Sequence, residues 1–336
     1  MANQSRSPRF YLFLSIIALF VIIFTFHTLG PSDTRIPSLE SINSFSPHSL
    51  INNPQSQPHK PSLTRKPLIP RLIWQTWQTH ANIPNPPRPD DNLERLSRTW
   101  TGRNPYHTYT RLESNTTIDY IHRHYAHRAD IISTFEAVDE PVLRADMIRY
   151  LVLSSEGGVY SDMDTECIKS IDLWSGEHDF EKVGMILGLE YDQRQDSGRM
   201  PGTSYRVQFS QWTMASKPGH PVMELVRDKV FENVGKALGS QDGIQLKAQA
   251  DVFDLTGPRI FTAAVREGIS AMLGREVEYS EFSMLPEPTL FGDVLVLPID
   301  GFASGVPHSG AREWGNEQQL VGHQFKGEWK TGLTGI

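Results

Sequence analysis

Three regimes of hydrophobic patterning divide the chain. From Phe10 to Leu29 run twenty residues without Asp, Glu, Lys or Arg. As a helix this stretch is about 30 Å long, enough to cross a bilayer core. From Pro31 to about Lys66, prolines and serines dominate, with Asn and Gln, and hydrophobic periodicity disappears. Such a segment cannot bury enough surface to offset its ordering entropy. From residue 67 onward, short β-branched and aromatic runs alternate with helical patterns, which predicts an α/β domain.

Within that third region, Ile69 to Trp77 (IPRLIWQTW) predicts a buried first strand. It ends at Thr76 and Trp77, where open α/β sheets bind ligands, although Trp74 and Trp77 serve equally well as core and rim packing. A proline-rich loop follows, then a short helix from Leu93 to Trp100, a turn at Asn104-Pro105 and a second strand from Tyr106 to Leu112. Ser114 to Arg128 reads as one helix carrying His122, His124 and His127; with no carboxylate placed to complete a metal site, a solvated basic face is expected. The next helix opens at Pro141, a residue favoured in the first turn. Val142, Leu143, Met147, Ile148, Leu151 and Val152 cover its buried side. Asp146 and Arg149 are three apart and therefore neighbours. They form either a surface ion pair, worth a few tenths of a kcal/mol, or part of a cleft.

Gly157-Gly158 then leads into a strand closing on Asp162 and Asp164, with Tyr160 on the same side. In an extended chain, side chains i and i+2 project together, roughly 6–7 Å apart. That spacing suits two carboxylates sharing one hard cation beside a phosphate. Further strands are expected at Val183 to Glu190, Gln208 to Ala215 and Val294 to Pro298. Glu190 and Asp192 stand at the cleft edge as candidate base or nucleophile. Pro221 to Leu238 is an amphipathic packing helix. Thr256 reads as the N-cap of a helix with Pro258 in its first turn. Gly301 to Asn316, Gly-rich and without periodicity, is expected to be a mobile loop able to order over a ligand.

The net charge of −7 over 336 residues, with no Lys/Arg run, argues against nucleic-acid binding. The length accommodates one large domain or two small ones. The single cysteine, Cys167, excludes an intrachain disulfide framework without deciding the compartment. Arg6 and Arg9 precede the apolar run, which puts the N-terminus in the cytosol. The alternative, a cleaved signal peptide, has no small-x-small site before Pro31 to support it. The expected layout is a cytosolic tail (1–9), a transmembrane signal anchor (10–29), a flexible stem (30–66) and a lumenal domain (67–336). Asn115-Thr116-Thr117 is a glycosylation sequon compatible with that address.

The stretch RADMIRYLVLSSEGGVYSDMDTECIKSID resembles the signature of glycosyltransferase family 32, the Asp-x-Asp sugar transferases. PRLIWQTWQT, QFSQWTMASKPGHP, Thr256-Gly257-Pro258 and GHQFKGEWK resemble further blocks of the family, in order, across nearly all of residues 69–330. The resemblance implies a GT-A-like, single Rossmann-type nucleotide-sugar-binding domain with a central mixed sheet. It implies Mn²⁺, or Mg²⁺, on Asp162 and Asp164, with His323 as third ligand. On the donor it places Thr76, Trp77 (stacked on the base), Asp146, Arg149, Tyr150, Gly158 and Tyr160, with Trp329 and Lys330 over the phosphates. Gln211 and Trp212 fall to the acceptor, and Glu190 joins the two aspartates as a catalytic candidate. The implied reaction is retaining α-1,6 transfer of mannose from GDP-mannose to N-linked glycans of glycoproteins. The implied setting is a single-pass type II protein of the Golgi membrane, in complex with other Golgi mannosyltransferases. Inositol phosphorylceramide is the alternative acceptor, and a non-catalytic lumenal glycan-binding protein is the alternative from a different class.

Overall fold

The apolar run LIWQTW forms strand β1 (Leu72–Trp77), which lies inside the sheet because its alternate side chains enter two different cores. The structure is a computed structural model and describes residues 67–80, 85–193 and 205–326. The expected anchor, the stem, Trp329 and Lys330 lie outside the described residues. Among those described, no helix is long and apolar enough to cross a membrane.

β1 pairs in parallel with β2 (Thr108–Glu113) and β3 (Gly158–Ser161). Strand β4 (Thr165–Cys167) leaves the main sheet, which continues with β5 (Met185–Asp192) and β6 (Val207–Ser216). β6 runs antiparallel to both β3 and β5. β7 (Thr289–Phe291) and β8 (Val294–Val296) form a hairpin whose second strand is parallel to β5. The seven-stranded mixed sheet has the order β2-β1-β3-β6-β5-β8-β7, and β9 (Val321–His323) pairs antiparallel with β4 as a separate ribbon. A mixed central sheet in an α/β domain is the expected architecture. The C-terminal ends of β1, β3, β5 and β8 share one edge, and the candidate site lies there.

Helices cover both faces. α1 (Asp91–Arg103) starts at an Asp90 cap, whose carboxylate accepts from the Leu93 amide at 2.8 Å, and buries Leu93, Leu96 and Trp100. The single helix expected from Ser114 to Arg128 is instead two, α2 (Ser114–His124) and α3 (Ala129–Ala137). The break falls at Tyr125, which buries its ring and donates to the Leu151 carbonyl at 2.7 Å. His122 and His124 pair separately with Glu136 and Glu156, and His127 leaves that face to stack on Tyr125.

α4 (Pro141–Ser155) departs most from its pattern. Eleven of its fifteen residues are buried, Asp146 and Arg149 among them, so these two are no surface pair. The helix is enclosed by the sheet, α2 and α5 (Pro221–Leu238), which leaves it no polar face toward water. Gly157 and Gly158 follow with φ of +69° and +100°. A Cβ on Gly158 would stand 2.7 Å from the Leu72 carbonyl oxygen, and one on Gly157 2.6 Å from that of Ser216. Only glycine lets the chain pass there and enter the middle of the sheet as β3.

Helices α6 (Gln249–Leu255) and α7 (Pro258–Leu273) follow α5. Thr256 is not the N-cap of α7. It closes α6, and Gly257 takes the N-cap position without a side-chain bond. The segment expected to be a structureless lid begins as α8 (Ile299–Ala303) and is tied down by Arg312 to Asp300 at 2.8 Å and Asn316 to Ser304 at 2.6 Å.

Candidate active site

β3 ends at Ser161, so Asp162 and Asp164 do not lie on a strand. They occupy a turn between β3 and β4. The Asp162 carbonyl closes it, accepting from the Thr165 amide at 3.2 Å and the Thr165 hydroxyl at 2.5 Å. The Asp162 amide donates to the Trp212 carbonyl at 2.8 Å, which anchors the turn to β6. The two carboxylates are therefore brought together by a turn rather than by strand alternation.

The ribbon β4–β9 sets Thr165 opposite His323. This brings the imidazole to Asp164, with Nε2 3.1 Å from Oδ1. Beyond β9, the Lys326 amide donates to Asp164 Oδ2 at 3.1 Å, the Lys326 ammonium meets Asp90 at 2.7 Å, and Asn92 donates to Gln324 at 2.8 Å. The C-terminal part of the described chain is thus strapped across the start of α1 and over the turn.

Beneath the turn lies a buried network. Arg149 donates to Asp162 Oδ1 at 3.0 Å and to Asp146 Oδ1 at 2.8 Å. Tyr160 adds a bond to Asp162 Oδ1 at 2.7 Å. Asp146 also accepts from Gln211 at 3.3 Å and, on Oδ2, from the Thr256 hydroxyl at 2.7 Å. Tyr150, fully enclosed, donates to the Thr256 carbonyl at 2.8 Å and to the Gln211 amide oxygen. Together Asp146 and Tyr150 position Arg149, and through it Asp162. Thr256 belongs to this network although its sequence signal, Thr-Gly-Pro, reads as a cap. A hydrogen bond to a charged group contributes about 1.5–3 kcal/mol. Thr256→Val is therefore expected to destabilise the fold by about 2 kcal/mol and Thr256→Ser by much less, as read from denaturant midpoints.

Gln211 and Trp212 reach the site through an irregularity in the sheet. Leu187 faces Met214 and Leu189 faces Phe209, so β5 has only Gly188 where β6 has the four residues Ser210 to Thr213. This bulge turns Gln211 toward Asp146 and Trp212 toward His323, whose rings lie 4.4 Å apart. A lone glycine inside an apolar strand, Gly188, is the sequence signal that marks such a bulge. Glu190 stands on β5 beside Gln208, 3.5 Å away. Asp192 is taken up by the Ser283 hydroxyl at 2.5 Å and the Met284 amide at 2.7 Å, which pin a loop. Thr76 donates to the Leu112 carbonyl at 2.9 Å, and Trp77 packs on Leu93, Leu96 and Met163 at the site's edge. Gly158 lies at the far end of β3, between β1 and β6. Gln75, not anticipated from the sequence, donates to the Asp162 carbonyl at 3.1 Å.

Burial pushes the Asp162 carboxyl above its usual range, against the opposing pull of Arg149 and with the push of Asp164. Burial works the same way on Asp164, but His323 and the Lys326 amide outweigh it and hold that carboxyl low. Burial likewise raises Asp146, opposed by Arg149, Thr256 and Gln211. Arg149 stays charged despite burial because Asp146 and Asp162 flank it.

The donor set fits a divalent cation. Two carboxylates and an imidazole place ligand atoms within 4.8 Å of one another, the one such group among the described residues. Arg149 and Tyr160 both bind Asp162 through Oδ1, which leaves Oδ2 for a further ligand. Three buried nitrogens around the turn, Arg149 Nε, Trp212 Nε1 and His323 Nδ1, have no hydrogen-bond partner among the described residues. Unsatisfied buried groups of this kind are expected where a ligand completes the site.

Over residues 90–181 the chain matches the family described as a glycosyltransferase sugar-binding region containing a DXD motif. It is similar to the initiation-specific alpha-1,6-mannosyltransferase of Schizosaccharomyces pombe, with 33% identity over 78% of this chain and 64% of that one. Its similarity to the enzyme of the same name from Candida albicans is 28% identity over 78% of this chain and 72% of that one. It is also similar to a mannosyl phosphorylinositol ceramide synthase of Saccharomyces cerevisiae, with 32% identity over 44% of this chain and 35% of that one. The chain thus spans just under two thirds of the length of the S. pombe relative.

Proposed function

We propose that this chain is a metal-dependent, retaining α-1,6-mannosyltransferase that moves mannose from GDP-mannose to N-linked glycans of glycoproteins. The observation that carries the reading is the convergence of Asp162, Asp164 and His323 at the C-terminal edge of the sheet. Mn²⁺ is the preferred ion, since an imidazole beside two carboxylates favours it over Mg²⁺. When bound, the cation supplies neutralisation of the charge that builds on a departing diphosphate. The chain's own residues do the rest. Arg149 holds Asp162 in place through one oxygen, and Asp146, Gln211, Thr256 and Tyr150 hold Arg149. Trp212 and Phe325 pack on the His323 ring, at 4.4 and 3.7 Å, and shield it from water. Such a preorganised set needs little rearrangement as charge develops.

The names of the S. pombe and C. albicans relatives support α-1,6 transfer of mannose. Transfer to inositol phosphorylceramide is the second reading, supported by similarity to the ceramide synthase over a smaller share of this chain. A type II Golgi membrane setting, with the catalytic domain lumenal and other Golgi mannosyltransferases as partners, completes the proposal. Donor turnover by the full-length protein tests it, with GDP-mannose and UDP-sugars compared in Mn²⁺ and in chelator. Consumption of GDP-mannose that stops in chelator is expected. No turnover of any donor in Mn²⁺ would favour a glycan-binding protein instead.

A further inference from the structure

A second polar site lies beside the first, between α1 and the edge strand β2. Glu94, Ser97 and Arg98 line one wall from successive turns of the helix, and Tyr109, Arg111 and Glu113 line the other by strand alternation. The groove is a shallow one, open to solvent, with a volume of about 320 Å³, at the small end of ligand clefts (~300–1,000 Å³). Its charges cancel, two glutamates against two arginines, so it offers no net field for a phosphate, a nucleic acid or an acidic peptide. Its one aromatic ring, Tyr109, makes it a poor fit for an apolar ligand. Planar carboxylates and guanidinium groups next to hydroxyls suit a neutral polyhydroxylated ligand, because each planar group can bind two adjacent hydroxyls at once. Arg111 is already paired with Glu94 at 2.7 Å, whereas the exposed Arg98 has no ion-pair partner among the described residues.

Two features join the groove to the aspartate turn. Tyr109 donates to Gln75 at 2.8 Å, and Gln75 donates to the Asp162 carbonyl at 3.1 Å. At its upper end Glu113 stands opposite Trp77, and the cap of α1, Asp90, is held by Lys326, whose amide binds Asp164. From this we infer that the α1–β2 groove is a saccharide subsite, which takes outer hexoses of the acceptor while its reacting end lies at the turn. The inference rests on the sugar-transferase reading for the identity of its ligand.

Calorimetric titration of the full-length protein with linear mannopentaose tests the groove directly, without donor turnover. Wild type is expected to bind, and Arg98→Ala to weaken binding about tenfold. Arg98→Gln, which keeps a planar polar group, is expected to fall between the two. Arg98 is exposed and makes no ion pair among the described residues, so neither change threatens the fold. Equal affinity in wild type and Arg98→Ala, or no binding by wild type, overturns the subsite. Groove binding without turnover of any donor would sink the catalytic reading alone, and turnover without an Arg98 effect would sink the groove alone.

Discussion

Asp164→Asn is expected to lower sugar transfer about a thousandfold while leaving the fold intact. A cation at a phosphoryl oxygen contributes several kcal/mol to charge stabilisation, and each 1.36 kcal/mol is about tenfold in rate. Asp164 suits this test because it is not part of the buried network. Its partners are His323 and the Lys326 amide. An asparagine still accepts from that amide but no longer supplies a charged ligand. Asp162→Asn should lose as much activity and more stability, since Arg149 would keep only Asp146 as a charged partner. The comparison requires transfer rates at saturating Mn²⁺ beside thermal unfolding of each variant. Undiminished transfer by the doubly substituted protein would overturn the metal assignment.

Arg149→Met is expected to be the most destabilising single change at the site. Arg149 is 4% exposed, and its guanidinium pairs with two carboxylates at once. Removing one partner from a buried ion pair costs about 3–5 kcal/mol, mostly because the remaining charge is left uncompensated. The physical cause can be separated from simple loss of packing. Adding Asp146→Asn to Arg149→Met removes one stranded charge and should recover part of the loss, a coupling that a double-mutant cycle measures. An Arg149→Met protein within about 1 kcal/mol of wild type by urea denaturation would mean that the network does not bear on stability as argued.

The parts of the fold that were legible are those whose signal is local. β1 reads from a dense apolar run, α5 from its helical period and its Pro221 start, and the entry to β3 from Gly157-Gly158. Where the local pattern misled, tertiary packing prevailed. The pattern of α4 left Asp146 and Arg149 between a surface pair and a cleft, and packing buries them against each other and Asp162. Ser114 to Arg128 looked like one helix, and the buried Tyr125 divides it. Thr256 looked like a cap because Gly-Pro follows it, while its hydroxyl serves a carboxylate 110 residues away.

The Asp162-Met163-Asp164 motif shows the same division. The sequence by itself determined that two carboxylates would stand close together, that an aromatic hydroxyl would sit beside them, and that the chain would reach them through glycines. Covalent neighbours cannot be far apart, so a three-residue motif survives an error about its backbone, here a turn in place of a strand. Only the tertiary structure decided what surrounds them. His323 is 159 residues from Asp164, and no local rule brings it there; the β4–β9 ribbon does. The orientation of Asp162 likewise depends on Arg149, held from α4, β6 and the end of α6 at once. Contacts of that kind exist only after the sheet and helices have packed, because their geometry is set by the shared core and not by the spacing of residues along the chain.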